Sequence, residues 1–292
     1  MNTRLSIVVP GMEADEGEAL AGEVQALLGA QERLMSRFAP DAELARLNRT
    51  AAGGPVRVSP ALWEVLALCR GHWERTGGAF DIAFGALSDA WRAHRRDPAA
   101  GRSAEAAALA RCGFRHVTMD PAQRSVGFAV AGLSLDLGGI GKGIALAAVE
   151  RLLRARHVAH ALVSFGESSV LAIGPQPSGA DWLVGMADRN DPGRSLHRFA
   201  LRDASLSTSG QDAAAPHIVD PQDRRAAGGD RILSVACRCP IEADVLSTAL
   251  LVRAPDERGA MLERYPGLRA VEIGYSRSRE RPKGEVVWRH EQ

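Results

Sequence analysis

The sequence has no long apolar run, no excess of charge of either sign and few cysteines. No window approaches the roughly 18 consecutive apolar residues of a membrane-spanning helix, so we expect no membrane span. The 36 basic and 35 acidic residues leave a formal net charge of +1, which gives no electrostatic reason to expect nucleic acid or an anionic membrane as a partner. The apolar stretch before Pro10 is too short for a signal peptide and runs into an acidic segment. We therefore expect a cytoplasmic protein.

The four cysteines, Cys69, Cys112, Cys237 and Cys239, are spread over separate parts of the chain. Alternation in the run "ILSVACRCP" predicts that Cys237 and Cys239 share one face of a strand. A metal site would need further Cys or His ligands at short spacing, and none is nearby. We expect ordinary reduced thiols.

What the sequence does have is a globular composition, with 292 residues of which 46% are hydrophobic and 24% charged. Helical periodicity predicts helices near 16–40, after an N-cap at Ser59, from 142 to about 155, and in "EADVLSTALLV". Short alternating runs predict strands, among them "LSLDL" and "HALVSFG". The polar segment near 92–111 is expected to be a surface excursion. This mixture predicts an α+β or mixed α/β fold.

A glycine-rich turn, "LDLGGIGKG", leads from a predicted strand into a predicted helix. Strand, helix and strand in this order predict a right-handed crossover unit. Glycines let a ligand approach the backbone, and a helix N-terminus offers unpaired N–H donors to an anion. The spacing fits neither a Walker A loop nor a dinucleotide fingerprint. The residues alone leave open an anion site of a third kind and a tight turn without a ligand.

The run "EADVLSTALLV" places Asp244 and Thr248 four residues apart, on one face of a helix. A carboxylate and a hydroxyl are hard oxygen ligands that suit Mg²⁺. The structural alternative is an N-capping Asp244 and a Thr248 bonded back to its own helix.

Two shorter motifs carry weaker signals. "LSTSGQ" places Thr208–Gly210 at the end of a strand, where hydroxyl and N–H donors suit a phosphate, although an ordinary turn explains them too. "PHIVDP" places His217 before a short strand-like pair and an Asp-Pro turn. A lone histidine is more often structural than catalytic, so it gains weight only beside other polar groups.

Taken in order, these motifs resemble one family. The set comprises "MSRFAPDAELARLN", "GGAFDIAFGAL", "LDLGGIGKG", "LVSFGESSVLAIG", "STSGQ", "HIVDP" and "ADVLSTALLV". It is similar to the ApbE flavin transferases, the FAD:protein FMN transferases, from about Met35 to Val252. The resemblance implies an ApbE-like fold with an antiparallel-rich sheet flanked by helices. It covers nearly the whole chain and implies a single domain over 1–292, with two interleaved subdomains as the alternative.

The resemblance also implies an activity: with Mg²⁺, such enzymes cleave FAD and attach FMN by a phosphoester to a Thr or Ser of an acceptor protein. Carried over, the metal ligands are Asp244, Thr248 and the backbone carbonyl of Gly141. The catalytic residues are His217, as general base for the acceptor hydroxyl, and Lys142. The implied contacts to FAD, the substrate, are Met35, Asp81, Asp136, Gly138, Gly139, Lys142, Gly166, Glu167, Ser168, Thr208, Ser209 and Gly210.

Several positions depart from the family pattern. Ala147 stands where the family commonly has an Asp, Ile82–Ala83 where it usually has Pro-Thr, and Glu167 where it has a second glycine. The usual Arg-Thr-Gly after the Asp-Pro turn is replaced by residues 222–224. Transfer of FMN is the leading hypothesis. A degenerate protein that binds FAD without turnover, and a pyrophosphatase that releases FMN and AMP, stay open.

Overall fold

The computed structural model of the chain describes residues 3–96, 101–211, 218–275 and 284–291. The helices in these ranges are α1 (Ala14–Met35), α2 (Glu43–Thr50), α3 (Pro60–Arg75), α4 (Gly85–Arg96), α5 (Gly101–Leu109), α6 (Gly141–Ala155), α7 (Pro240–Val252) and α8 (Gly259–Leu262). The strands are β1 (Leu5–Val8), β2 (Val56–Arg57), β3 (Val117–Asp120), β4 (Ser125–Phe128), β5 (Ala161–Phe165), β6 (Ser169–Ile173), β7 (Trp182–Asp188), β8 (Asp191–Leu201), β9 (Ala204–Gln211), β10 (Val219–Asp220), β11 (Arg225–Ala226), β12 (Asp230–Cys237), β13 (Arg269–Tyr275) and β14 (Gly284–Glu291). None of these helices is long and apolar enough to cross a bilayer.

The described residues form two compact units that alternate along the sequence. The first unit takes those within 29–139 and 219–225, and the second takes those within 2–28, 140–218 and 226–292. The division between Gly139 and Ile140 falls inside the glycine-rich turn.

The second unit is built on a seven-stranded sheet in the order β1-β5-β6-β9-β12-β13-β14. Every neighbouring pair in it is antiparallel. One face is covered by α6 and the N-terminal part of α1, with a buried apolar cluster that includes Leu20, Val24, Leu146, Val149 and Val163. On the other face, Phe199 and Leu201 of the β7–β8 hairpin join a second apolar cluster. The predicted α+β fold with an antiparallel-rich sheet flanked by helices is confirmed.

The first unit contains α2 to α5 and the small antiparallel sheet β2-β4-β3. Ser59 caps α3 as predicted, because its Oγ accepts a hydrogen bond of 3.2 Å from the amide of Leu62. The segment near 92–111 lies at the surface as expected, since Ala108 is the one buried position among its residues with described burial. It is helical for most of its length, because α4 and α5 run through it and share a buried cluster of Leu87, Ala90, Ala108 and Cys112. Ala108 lies at the contact between the two helices, while Ala104, Ala106, Ala107 and Ala110 are exposed.

The predicted strand "LSLDL" belongs to no sheet in the described part of the chain. Leu133, Leu135 and Leu137 are buried as the alternation predicted. The side-chain amide of Asn48 bonds both the N–H and the carbonyl of Leu135, at 2.9 and 3.0 Å. A side chain from α2 thus takes both backbone bonds of Leu135, while Ser134 and Asp136 bond the backbone of Gly85 and Ile82 at 2.9 and 2.7 Å.

The predicted right-handed crossover was wrong as well. β5, which follows α6, pairs antiparallel with β1 on one side and β6 on the other. Because the segment before α6 contributes no strand to this sheet, α6 does not connect two parallel strands.

The predicted common face for Cys237 and Cys239 was also wrong. Cys237 ends β12, while Cys239 is the N-cap residue of α7 and accepts a 3.3 Å hydrogen bond from the Cys237 thiol at its carbonyl. Burial raises the pKa of the Cys237 thiol to about 12. All four cysteines are free thiols in the structure.

Candidate active site

The site begins where α6 begins, at Gly141-Lys142-Gly143. Gly141 is the first residue of α6 and is buried. A Cβ on Gly143 would lie 2.7 Å from the carbonyl oxygen of Pro240 and 2.8 Å from Cα of Ile241, both backbone atoms of α7. Only glycine at position 143 lets α7 approach the first turn of α6 this closely. The glycine therefore serves helix packing, a role that the sequence did not reveal.

Asp244 bonds the start of α6 from its place on α7. Its side chain is buried, and its Oδ2 accepts a hydrogen bond of 2.9 Å from the amide of Gly143. Its Oδ1 accepts one of 3.0 Å from Ser207 Oγ and lies 3.6 Å from Lys142 Nζ. The carboxylate thus satisfies a free N–H of α6 and complements the positive end of its dipole. The alternative in which Asp244 caps its own helix was wrong, because α7 starts at Pro240.

Thr248 lies one turn further along α7 within a group of hydroxyls. Ser209 Oγ is 3.0 Å from Thr248 Oγ1 and 2.8 Å from Ser247 Oγ. Ser247 Oγ in turn donates to the carbonyl of Asp244 at 2.9 Å. The structure therefore brings the predicted residues Lys142, Asp244, Thr248 and Ser209 into one connected polar group inside the second unit.

The Thr-Ser-Gly motif is divided by the pleat of β9. Ser209 bonds side chains of α7, whereas Thr208 Oγ1 lies 2.6 Å from Ser234 Oγ, its cross-strand neighbour on β12. Successive side chains of a strand point to opposite faces. A Cβ on Gly210 would lie 3.1 Å from the side chain of Ile232. The three residues do not form the isolated turn of the alternative interpretation, because they lie inside a strand.

The β5–β6 turn holds the next three predicted residues. Gly166 and Glu167 have φ of 64° and 60°, and the carbonyl of Ser168 accepts a hydrogen bond of 2.7 Å from the Thr208 amide. A Cβ on Gly166 would lie 2.5 Å from Thr3 Oγ1. Glu167 is exposed and adopts a left-handed conformation that favours glycine.

The remaining predicted contacts lie in the first unit. Asp136 Oδ1 accepts a hydrogen bond of 2.9 Å from the Gly138 amide, and its Oδ2 pairs with Arg37 Nε at 2.9 Å. Asp81 accepts from the amides of Ala83 and Phe114 at 2.7 and 2.9 Å. Burial raises the pKa of Asp81. Met35 is buried at the end of α1, and Gly139 lies in the turn after Gly138.

The contacts described so far include neither the predicted general base nor a bound metal ion. His217 falls outside the described residues. Within the residues that are described, no group of three or more His, Cys, Asp or Glu side chains could hold a metal ion. The predicted set of one carboxylate, one hydroxyl and one backbone carbonyl differs from such a group, and its side chains supply the hard oxygen donors that Mg²⁺ takes.

Two residues that were not among the predicted site residues bond residues that were. Ser207 donates to Asp244, and Arg37 pairs with Asp136. A signal for Ser207 was present: the run "ASLSTSG" places Ser205, Ser207 and Ser209 on one face of a strand next to a predicted helix. Arg37 lies in the quoted motif "MSRFAPDAELARLN", but no spacing rule joins it to Asp136, which is far along the chain.

Comparison with known proteins identifies the family of the chain. A family model described as "ApbE family" matches residues 1–271. The FAD:protein FMN transferase of Treponema pallidum is 33% identical, with 89% of this chain and 78% of the relative covered. The enzyme of the same name from Klebsiella pneumoniae is 28% identical, with 92% and 80% covered.

Solved structures are similar over almost the whole chain. The flavin transferase ApbE from Vibrio cholerae superposes with a TM-score of 0.82 at 22% identity, covering 98% of this chain and 94% of that one. The apo form of flavinyl transferase ApbE from Pseudomonas stutzeri gives a TM-score of 0.77 at 26% identity, with the same two coverages of 98% and 94%. With the family match spanning nearly all of its length, this chain belongs to the ApbE family.

Proposed function

We propose that this chain is a FAD:protein FMN transferase that works with a divalent cation, Mg²⁺ by the chemistry of its donors. The observation that carries the proposal is the placement of Asp244. Its buried carboxylate lies at the N-terminus of α6, 3.6 Å from Lys142 Nζ, and one helical turn from Thr248. The relatives named FAD:protein FMN transferase supply the reaction to which we assign this arrangement.

The residues fit a hard divalent cation. Asp244 is 3% exposed, and a buried carboxylate is stable only with positive charge or hydrogen bonds beside it. Asp244 and Thr248 offer a charged and a neutral oxygen, and the Gly141 carbonyl is the third ligand that we propose. When bound, the cation would neutralise charge on the phosphoryl oxygens of FAD.

In the proposed reaction, the hydroxyl oxygen of an acceptor Thr or Ser attacks the phosphorus on the FMN side of the FAD pyrophosphate. The bond from this phosphorus to the bridging oxygen breaks, and AMP leaves with the electron pair. We assign the hydroxyl proton to His217, whose residue type suits proton transfer near neutral pH. Lys142 and the positive N-terminal end of the α6 dipole stabilise the charge that develops on the phosphoryl oxygens.

The decisive experiment incubates the protein with FAD and Mg²⁺, with and without a protein domain that carries a candidate Thr acceptor. Mass spectrometry should find one FMN added to the acceptor and an equal amount of AMP released. Release of AMP while the acceptor stays unmodified would show that the protein is a pyrophosphatase and not a transferase. FAD that stays bound and intact would reduce the protein to a flavin-binding protein.

A pair of aspartate variants tests the cation site. Asp244→Asn should abolish turnover, and added Mg²⁺ should not restore it. Asp181→Asn is the matched control, because Asp181 is a surface carboxylate that pairs with Arg202 at 2.7 Å. Metal-dependent turnover that survives in Asp244→Asn would overturn the assignment of the cation to this residue.

A further inference from the structure

Strand β9 presents a row of hydroxyls to its neighbours where a core usually has aliphatic side chains. Ser205 and Ser207 are each 1% exposed, and Ser209 follows on the same face. A buried hydroxyl costs free energy unless it is hydrogen-bonded, and it adds little hydrophobic stabilisation. The hydrogen-bond partners of these serines should therefore explain why serine and not an aliphatic residue stands at these positions.

The partner of Ser207 is the carboxylate of Asp244. Ser207 Oγ donates to Asp244 Oδ1 at 3.0 Å and lies 3.3 Å from Ser169 Oγ on the neighbouring strand β6. An ionised carboxylate can only accept hydrogen bonds, so the single hydroxyl proton of Ser207 is directed to Asp244. Ser207 can then accept from Ser169, and the chain of hydroxyls ends on Asp244.

The two oxygens of Asp244 are therefore held from two sides. The Gly143 amide fixes Oδ2 at 2.9 Å, and Ser207 fixes Oδ1. Lys142 Nζ lies 3.6 Å from Oδ1, so this oxygen also faces a positive charge. Both contacts oppose rotation of the carboxylate about its Cβ–Cγ bond, because rotation would break them.

We propose that Ser207 is a positioning residue of the cation site: its hydrogen bond holds the Asp244 carboxylate in the orientation that binds a divalent cation. This inference rests on the proposed function, since it concerns the same site. Hydrogen-bonded partners of a ligating carboxylate set both its direction and its affinity for the metal. Ser207 touches neither substrate nor cation in this proposal. It acts through Asp244, and its remaining contact with α7 is a long hydrogen bond of 3.5 Å that it accepts from Ser247 Oγ.

Ser205 provides a matched control two residues away. It is buried to the same extent, but its Oγ donates to the carbonyl of Val170 at 2.7 Å and contacts no predicted ligand. Ser205→Ala and Ser207→Ala remove the same atom from the same strand. Both variants should lower the free energy of unfolding, by similar amounts, and only Ser207→Ala should change cation binding.

The experiment titrates the whole protein with Mn²⁺, followed by electron paramagnetic resonance of the free ion, with and without FAD. Wild type and Ser205→Ala should bind with the same affinity, and Ser207→Ala about tenfold more weakly. Ser207→Cys keeps the volume but donates weakly, so its affinity should lie between them. It also serves as the second variant if Ser207→Ala does not fold.

Two results would overturn the inference, and they are distinguishable. If wild type binds Mn²⁺ and Ser207→Ala binds it as tightly, the positioning role fails while the cation site stands. If wild type binds no Mn²⁺ with or without FAD, the cation site of the proposed function fails and the role of Ser207 fails with it.

Discussion

Lys142 Nζ and Asp244 Oδ1 are 3.6 Å apart, so the lysine after the glycines of the turn faces the carboxylate of α7. The two residues come from different helices, and the lysine is a quarter exposed while the aspartate is buried. Asp244 thus has a counter-charge within the protein itself. In the proposed reaction the same lysine also stabilises phosphoryl charge, so one ammonium group has two electrostatic partners.

The first prediction follows from this double role. Lys142→Met should bind Mn²⁺ about fivefold more tightly without FAD. The reason is that the variant removes the repulsion between the Lys142 ammonium and a cation bound at Asp244, which costs about 1 kcal/mol of binding free energy. Turnover of FAD should nevertheless fall on the order of 100-fold, since one group that stabilises the transition state is lost. Lys142→Arg keeps the charge and should leave Mn²⁺ affinity near that of wild type. Weaker Mn²⁺ binding in Lys142→Met would contradict this account.

The second prediction concerns Gly143. Gly143→Ala should lower the free energy of unfolding by about 1–3 kcal/mol, because the new Cβ meets backbone atoms of Pro240 and Ile241 that cannot move independently. Gly22→Ala is the matched control, since Gly22 lies exposed in α1 and a Cβ added there would meet no atom within 4 Å. That control should raise stability by up to about 1 kcal/mol. Urea unfolding of both variants measures the change in the free energy of unfolding relative to wild type. Changes of the same sign in the two variants would refute the steric argument.

The sequence predicted those local features that depend on short spacing. The shared helix face of Asp244 and Thr248 followed from their separation of four residues, and the cap at Ser59 followed from a serine directly before Pro60. Alternation also predicted which leucines of "LSLDL" are buried. Local periodicity carries this information because a helix or a strand imposes it on every residue.

Contacts between distant segments could not be predicted in this way. Asn48 bonds both backbone groups of Leu135 across 87 positions, and this segment with strand periodicity joins no sheet among the described residues. Asp244 bonds Gly143 across 101 positions, which changes the role of that glycine from ligand approach to helix packing. Such pairs are fixed by tertiary packing, which no single window of sequence contains.

The third prediction concerns Glu167, which holds a φ of 60° in the β5–β6 turn. Glu167→Gly should raise the free energy of unfolding by about 1 kcal/mol, because glycine adopts the left-handed conformation without the Cβ penalty. Glu167→Ala keeps a Cβ and should give no such gain. Thermal unfolding of the two variants separates backbone strain from loss of the side chain. Equal gains would show that the carboxylate, and not the backbone, is responsible.

The fourth prediction concerns a buried charge cluster in the second unit. Glu272 is 1% exposed and pairs with Arg231 at 2.9 Å and with Arg258 at 2.8 Å. The Arg258 guanidinium, which is fully buried, also lies 4.4 Å from the ring centre of Trp288. Two arginines therefore share one carboxylate between β12, β13 and the segment after α7.

Glu272→Gln should lower the free energy of unfolding by about 3 kcal/mol, because it leaves two guanidinium groups without their counter-charge. Glu285→Gln on the neighbouring strand β14 is the control, since Glu285 is exposed and its loss should change stability by less than about 0.5 kcal/mol. Urea unfolding measures both values. A Glu272→Gln variant as stable as this control would mean that the cluster holds its arginines by packing and cation–π contact instead of by charge.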